Sequence, residues 1–354
     1  MEQRNLQPDM LDLLAQPAFY VQNGIIKQVN KAAGSKGLEI GTEICTLLKT
    51  GVEEYTAFQG DELYLSLTVE NIPVGASVTR IGEKDVFLLE QPCEQEEFHA
   101  LSLAAQELRD PLATIMTVSD RLISNLKETN DPAITAQLAR FNQGLYKMLR
   151  LVGNMSYAEK FNRKTPVHTE TCNLRIFFEE LTAAANGLVA MSNRTLLYNG
   201  LERDAFCLVN KELLERAFYN LLSNAIKFSP ENSAVVVTLK RNKNRIYLTI
   251  ENTKDSFTGA DFFTSFHRDP GICDGRCGIG LGMVLVRSAA YSHNGTVLIE
   301  HTDTCTRITL SLLMIQNTDT SVRSPVLFVD YAGERDHKLV ELADTLPAAA
   351  YTEI

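Results

Sequence analysis

Residues Glu212 to Pro230 read ELLERAFYNLLSNAIKFSP. At helical period, Leu214, Ala217, Phe218, Leu221, Leu222 and Ala225 form a continuous apolar stripe. Arg216, Asn220, Asn224 and Lys227 form a second, polar stripe on another face of the same helix. Ser229-Pro230 ends the run, because the residue before proline resists the helical region. Amide oxygens can complete a magnesium shell, and a lysine ammonium meets phosphate as a point charge. The same stripe also suits a solvated helix face, so this helix alone leaves both readings open.

Farther along, Gly278-Ile279-Gly280-Leu281-Gly282-Met283 opens another helical run, Val284 to Tyr291, before the turn His293-Asn294-Gly295. Glycines just ahead of a helix let backbone N–H groups approach an anion where the helix dipole favours negative charge. With NLLSNAIKF upstream, this pattern resembles the N and G2 boxes of the ATP-binding domain shared by sensor histidine kinases, DNA gyrase and the heat-shock-90 chaperones. The resemblance covers residues 167–315 and implies a GHKL-type α/β sandwich with ATP and Mg²⁺ as cofactors. It places Asn220, Asn224, Lys227, Phe228, Asn252, Gly278, Gly280 and Gly282 around the nucleotide, with Asn220 and Asn224 on the magnesium and Phe228 against the base.

Composition bounds the rest. A chain of 354 residues predicts two or three domains. At 45% hydrophobic residues and a mean hydropathy of −0.09 it can build real cores. A net charge of −10 and pI near 5.2 argue against general binding to nucleic acid or anionic membranes. The polar start MEQRNLQPDM and the lack of a long apolar run predict neither signal peptide nor membrane span, hence a cytoplasmic protein. The cysteines are seven and scattered, as reduced thiols are. Cys273 and Cys277 lack a second Cys/His pair, which leaves a metal role there unsupported.

Residues 10–92 read as a small α+β domain. Ala18 to Val21 and Ile25 to Val29 flank an Asn-Gly turn. Leu63 to Glu70, Ala76 to Ile81 and Val86 to Glu90 extend an antiparallel sheet. The order resembles a compact PAS sensor domain, PAFYVQNGIIKQVNKAA standing as its opening hairpin and first helix.

Residues 98–160 carry two heptad seams. The first runs Leu101, Ala105, Leu108, Leu112, Ile115, Ser119, Leu122 and Leu126. After Thr129-Asn130-Asp131-Pro132 the second runs Ile134, Leu138, Phe141, Leu145, Met148, Val152 and Met155. A two-helix hairpin so patterned leaves an apolar face open, which pairing into a dimeric four-helix bundle would bury.

Within the first seam, AQELRDPL (Ala105–Leu112) resembles the H box of histidine kinases, written H-E-L-R-T-P-L. Gln106 stands where the family carries its phosphoacceptor histidine, with Glu107 beside it. An amide nitrogen is delocalised into its carbonyl and cannot form the phosphoramidate that imidazole forms. Asp110 departs from the threonine or asparagine that the resemblance ties to phosphatase activity. His99, one heptad earlier, is a weaker candidate acceptor.

The ATP-binding part departs from its family too. Strands Val235 to Lys240 and Arg245 to Glu251 turn at Asn242-Lys243-Asn244. The next box, usually D-x-G-x-G, reads Asn252-Thr253-Lys254-Asp255-Ser256. Asn252 can still accept from an adenine amino group, more weakly than a carboxylate. DFFTSFHR (Asp261–Arg268) resembles the aromatic F box, and Asp269 to Cys277 its lid. Thr296 to Glu300 and Arg307 to Leu313 should close the sheet. Residues 325–354 read as a βα appendage, a strand at Pro325 to Asp330 and a helical run at Arg335 to Leu346, too short for a receiver domain.

The sequence thus predicts a multidomain α+β protein: a PAS-like sheet domain, a dimerising helical hairpin and a GHKL sandwich. The resemblance implies a degenerate cytosolic sensor histidine kinase of a two-component pathway. It would bind ATP and magnesium and signal through stalk conformation without histidine autophosphorylation. Its expected partners are a second copy of itself and a response regulator or another sensor kinase. Two alternatives remain open at this point: an active kinase or nucleotide hydrolase with another acceptor, and a nucleotide-free dimeric scaffold.

Overall fold

The computed structural model describes residues 10–90, 93–127, 131–162, 168–253, 280–314 and 335–352. Alternating apolar residues build the first hairpin, β1 (Ala18–Gln22) and β2 (Ile25–Val29). Its two-residue loop has positive φ at Asn23 and Gly24, the backbone that an Asn-Gly turn supplies. Asn30 then caps α1 (Lys31–Gly34): its Oδ1 accepts from the Ala33 N–H at 2.9 Å and from Ala18 N–H at 3.0 Å. Two short helices, α2 (Ile44–Leu47) and α3 (Val52–Thr56), lead into β3 (Glu62–Val69), β4 (Ile72–Ile81) and β5 (Lys84–Leu89). Phe19, Ile26, Leu65, Val78 and Phe87 are fully buried in a core of their own.

Two long helices follow, α4 (Cys93–Lys127) and α5 (Pro132–Asn162). They pack on each other, and Ala105, Leu112, Met116 and Ile123 of α4 and Ala139, Leu145, Leu149 and Val152 of α5 are buried. Five seam residues face outward: Leu108, Ile115 and Leu122 are 45%, 43% and 52% exposed, and Phe141 and Met148 are 48% and 45% exposed. Each of these sets recurs every seven residues, so it makes an unpartnered apolar stripe on the chain. No helix among the described residues is long and apolar enough to cross a membrane.

The last part comprises β6 (Glu170–Asn173), α6 (Leu174–Met191), β7 (Thr195–Asn199), β8 (Phe206–Val209), α7 (Lys211–Lys227), β9 (Ala234–Asn242), β10 (Arg245–Thr253), α8 (Leu281–Ser292), β11 (Val297–His301) and β12 (Cys305–Leu313). The predicted helices and hairpin strands are all present here. Helix α9 (His337–Glu341) and a 3-10 turn at Ala348–Tyr351 end the chain. The helix expected over Arg335 to Leu346 is thus shorter, and the strand expected at Pro325 to Asp330 lies outside the described residues.

The strands form one ten-stranded sheet, ordered β2-β1-β5-β4-β3-β11-β12-β10-β9-β7, with β6 and β8 as a separate pair. Among the described residues, only β7 and β9 run parallel in it. Strand β3 joins β11 antiparallel, with Tyr64 opposite Val297 and Glu62 opposite Ile299. The join is reinforced at its margin, where Asp61 N–H donates to the Ile299 carbonyl at 3.0 Å and His301 N–H to the Asp61 carboxylate at 2.5 Å. Gly60 is needed there, because a Cβ would stand 2.7 Å from the Ile299 carbonyl oxygen.

A histidine ties α8 to α7. His293, 4% exposed, accepts at Nε2 from the Asn210 N–H at 2.9 Å, and its Nδ1 lies 2.6 Å from the Ala289 carbonyl. That pattern needs the neutral ring. Burial pulls the imidazole down to about 4 from its ordinary 6.5, against the opposing hydrogen bond to Ala289. As pH falls through that interval the unfolded chain takes up the proton first, so the fold loses stability. His293 should therefore cost roughly 3 kcal/mol across it. The check is urea unfolding of wild type and His293→Gln at several pH values. A difference between the two that does not change with pH contradicts the neutral, buried imidazole.

Candidate functional site

Helix α7 begins at the N-cap Asn210, whose Oδ1 accepts from the Leu213 N–H at 2.7 Å. Its apolar stripe packs inward: Leu214, Ala217, Phe218 and Leu222 are all fully buried. At its C-terminal end the helix meets β10 and β12 in a pocket. Leu221, Ala225, Ile250 and Ile308 form its apolar walls, and Asn224, Phe228, Asn252 and Thr306 its polar and aromatic lining. Three residues expected around the nucleotide are thus brought together, Phe228 and Asn252 from the base and Asn224 from the magnesium. Asn252 spends its amide hydrogens on backbone carbonyls, Thr253 at 3.0 Å and Phe228 at 3.5 Å. Its side-chain oxygen is the atom left to accept from a base amino group.

The polar stripe is not a solvated face. Arg216 and Asn220 are each 1% exposed, covered by α5 and the C-terminal segment. Arg216 Nη1 donates to Glu341 Oε1 at 2.9 Å, and its guanidinium lies 4.3 Å over the Tyr157 ring. Arg150 of α5 reaches the same carboxylate, Nε to Oε2 at 3.8 Å. Its Nη2 donates to Asn220 Oδ1 at 3.0 Å, and its Nη1 to Ser223 Oγ at 3.1 Å and Asp344 Oδ2 at 2.7 Å. Lys227 Nζ lies 3.0 Å from the same Asp344 oxygen. Burial pushes the Asp344 carboxyl up, but Arg150 and Lys227 outweigh it and hold the group below its ordinary value. His337 Nδ1 lies 3.0 Å from Glu215 Oε1. Burial pulls that imidazole down, yet Glu215 and Glu341 overcome it and leave it raised.

The C-terminal segment is strapped onto the helical hairpin beside this cluster. Asn142 Nδ2 donates to the Tyr351 carbonyl at 3.2 Å, Gln143 Nε2 to the Leu346 carbonyl at 2.7 Å, and the Tyr146 and Tyr351 rings lie 5.0 Å apart. Leu342, Ala343 and Tyr351 are fully buried.

Gly280 caps α8 with φ of 82° and no side-chain cap, which leaves the first-turn N–H groups without a side-chain partner at the cap. Gly282 lies against Asn220, where a Cβ would stand 2.7 Å from Oδ1. Gly278, the F box at Asp261–Arg268, the lid and Cys273 and Cys277 lie outside the described residues. Gln106 and Glu107 are exposed on α4, one and two positions past the fully buried Ala105. His99 is exposed on the same helix.

Magnesium is tested by the donors around Asn220. Its Oδ1 already takes a charge-assisted bond from a buried guanidinium. A dication on that oxygen would be repelled by several kcal/mol at the effective dielectric of such sites, on the order of 20. Asn224 donates its Nδ2 to the Met283 thioether at 3.6 Å, which leaves its side-chain oxygen as the acceptor. Among the described residues no group of three or more His, Cys, Asp and Glu side chains could hold a metal. With Arg150 in place, this donor set does not fit a dication at Asn220.

Sequence reading missed Arg150, Ser223, Glu341 and Asp344. A signal existed for two of them: Arg150 interrupts the apolar run MLRLV, and Glu341 the run LVELA. A charge amid helical apolar residues implies a buried partner.

Residues 209–315 match the family described as histidine kinase-, DNA gyrase B- and HSP90-like ATPase. The pocket and α7 therefore belong to a GHKL-type ATP-binding domain. The chain is 26% identical over 227 residues to the probable sensor kinase SilS of Salmonella typhimurium, covering 59% of this chain and 43% of that protein. It is 27% identical to the haem sensor protein HssS of Staphylococcus epidermidis, covering 59% and 46%. A solved structure of full-length ShkA with AMPPNP aligns with a TM-score of 0.49 at 15% identity, covering 62% of this chain and 46% of that one. The likeness to these sensor kinases covers 59% of the chain, which spans less than half the length of SilS and HssS.

The ion cluster yields a stability prediction. Glu341, 0% exposed, is the carboxylate between two buried guanidinium groups. Glu341→Ala should destabilise the protein by about 3–5 kcal/mol, the cost of stranding buried charge. Chemical denaturation reads it, and a loss under about 1 kcal/mol would mean that the cluster is hydrated rather than buried.

Proposed function

We propose that this protein is a nucleotide-binding signalling member of the sensor histidine kinase family that does not phosphorylate itself on histidine. The observation that carries the reading is the pocket, where Asn224, Phe228 and Asn252 converge and Met283 of the first turn of α8 lies against Asn224. Adenosine nucleotide is the ligand: the base lies between Phe228 and the apolar walls, and the phosphates run toward Lys227. Magnesium, the second cofactor implied by the resemblance, would reach Asn220 only if Arg150 withdrew.

The five-stranded domain acts as a PAS-like sensor, and α4 with α5 as the stalk. The exposed stripe of Leu108, Ile115, Leu122, Phe141 and Met148 supports a cytoplasmic homodimer in which two hairpins close a four-helix bundle. Sensor state or nucleotide occupancy then alters the stalk for a partner, a response regulator or another sensor kinase. The exposed position of Gln106 supports loss of the acceptor rather than a structural substitution. The nucleotide-free scaffold has one observation in its favour, the pairing of Lys227 with Asp344.

Calorimetric titration with adenosine triphosphate separates the two. Binding should be measurable, and Lys227→Ala should weaken it by about 1–3 kcal/mol, the range for a charged hydrogen bond. Absence of binding at millimolar nucleotide gives the scaffold reading the field. With labelled γ-phosphate in the same preparation, wild type should acquire no acid-labile label.

A further inference from the structure

Asp344 Oδ2 receives two cations, Arg150 at 2.7 Å and Lys227 at 3.0 Å. On its other side Arg150 holds Asn220 Oδ1 at 3.0 Å. The guanidinium thus bridges an anion to the amide oxygen of Asn220, the same bridge that a divalent cation makes between phosphate and amide. We propose that Arg150 stands in for the divalent cation. The chain then binds nucleotide without metal, and a phosphate replaces the Asp344 carboxylate between Arg150 and Lys227. The inference rests on the nucleotide reading above and names how that site handles the phosphates.

The two partners of the bridge differ in their freedom. The Arg150 side chain is 5% exposed and held by Asn220, Ser223, Asp344 and Glu341, so it is part of the built site. The Asp344 side chain is 36% exposed and lies beyond the end of α9, so it can turn into solvent. Glu341 does not compete for the vacated place, because its Oε1 is committed to Arg216 at 2.9 Å. An arriving phosphate therefore meets two cations and a planar fork of donors suited to its oxygens. An arriving dication meets a fixed positive charge on the amide oxygen it needs.

The test uses the full chain and two titrations of adenosine triphosphate, one with excess magnesium and one with excess EDTA. Wild-type dissociation constants should agree to within about threefold, short of the tenfold that 1.4 kcal/mol from a metal would give. Asp344→Asn, which removes the resident anion's charge, should tighten metal-free binding about tenfold. Arg150→Met should lose binding in EDTA and recover it with magnesium, since Asn220 Oδ1 is then released. Should Arg150→Met fail to fold, the wild-type comparison and Asp344→Asn decide alone. Magnesium-dependent wild-type binding keeps the nucleotide reading and overturns the role of Arg150. Tighter binding absent in Asp344→Asn also overturns it, and no binding in either buffer overturns both readings.

Discussion

Strand β3 has partners on both sides, β4 within its own sheet and β11 from the ATP-binding domain. An unpaired strand edge is a liability in any sheet, and here two edges remove each other. The consequence is geometric. Once Leu63 sits opposite Leu298, the N-terminal strands fix where β11 lies, and β11 fixes β12, β10 and the pocket they line. Polar contacts extend the join beyond the ladder: Glu54 takes Arg245 at 2.9 Å and Tyr247 at 3.2 Å. Arg287 of α8, 4% exposed, lies over the Tyr64 ring and faces Glu90 at 3.9 Å.

On the opposite flank the domain is held by charge. Burying an ion costs several kcal/mol unless its partners are well placed, so a buried cluster is weak evidence of added stability but strong evidence of specified geometry. Glu341 between Arg150 and Arg216 ties α5, α7 and α9 together at one point. The polar stripe of α7 that suggested ligand chemistry therefore does two jobs. Arg216 and Asn220 serve the junction with α5 and α9, while Asn224, nearer the helix end, lines the pocket.

Much of this was legible because local period dominates. The α7 stripe, the Asn-Gly hairpin and the β9–β10 pair follow from spacings of a few residues. The pocket trio of Asn224, Phe228 and Asn252 came from the resemblance, and its apolar walls add what that left out. The heptad seams were legible as helices but not as partners. Leu112 and Leu145 pack within the chain, whereas Leu108 and Phe141 of the same seams face outward. Met116 and Ile123, outside the predicted seam, are buried in their place. A heptad alone does not say which half of its face is used inside one chain. The β3–β11 join was invisible for a different reason. It pairs Tyr64 with Val297, and no pattern within either strand names a partner so distant. Arg150, Glu341 and Asp344 belong to the same class, since their meaning is only in each other.

The N-terminal strands and the ATP-binding domain form one continuous hydrogen-bonded sheet through β3 and β11. Native-state hydrogen exchange tests it most directly. The amides bridging β3 and β11, and the Asp61 amide at their margin, should exchange as slowly as those joining β9 to β10, because both lie inside the same sheet. Seam amides that exchange freely while β9–β10 and β3–β4 stay protected would mean two separate sheets, and would contradict the account.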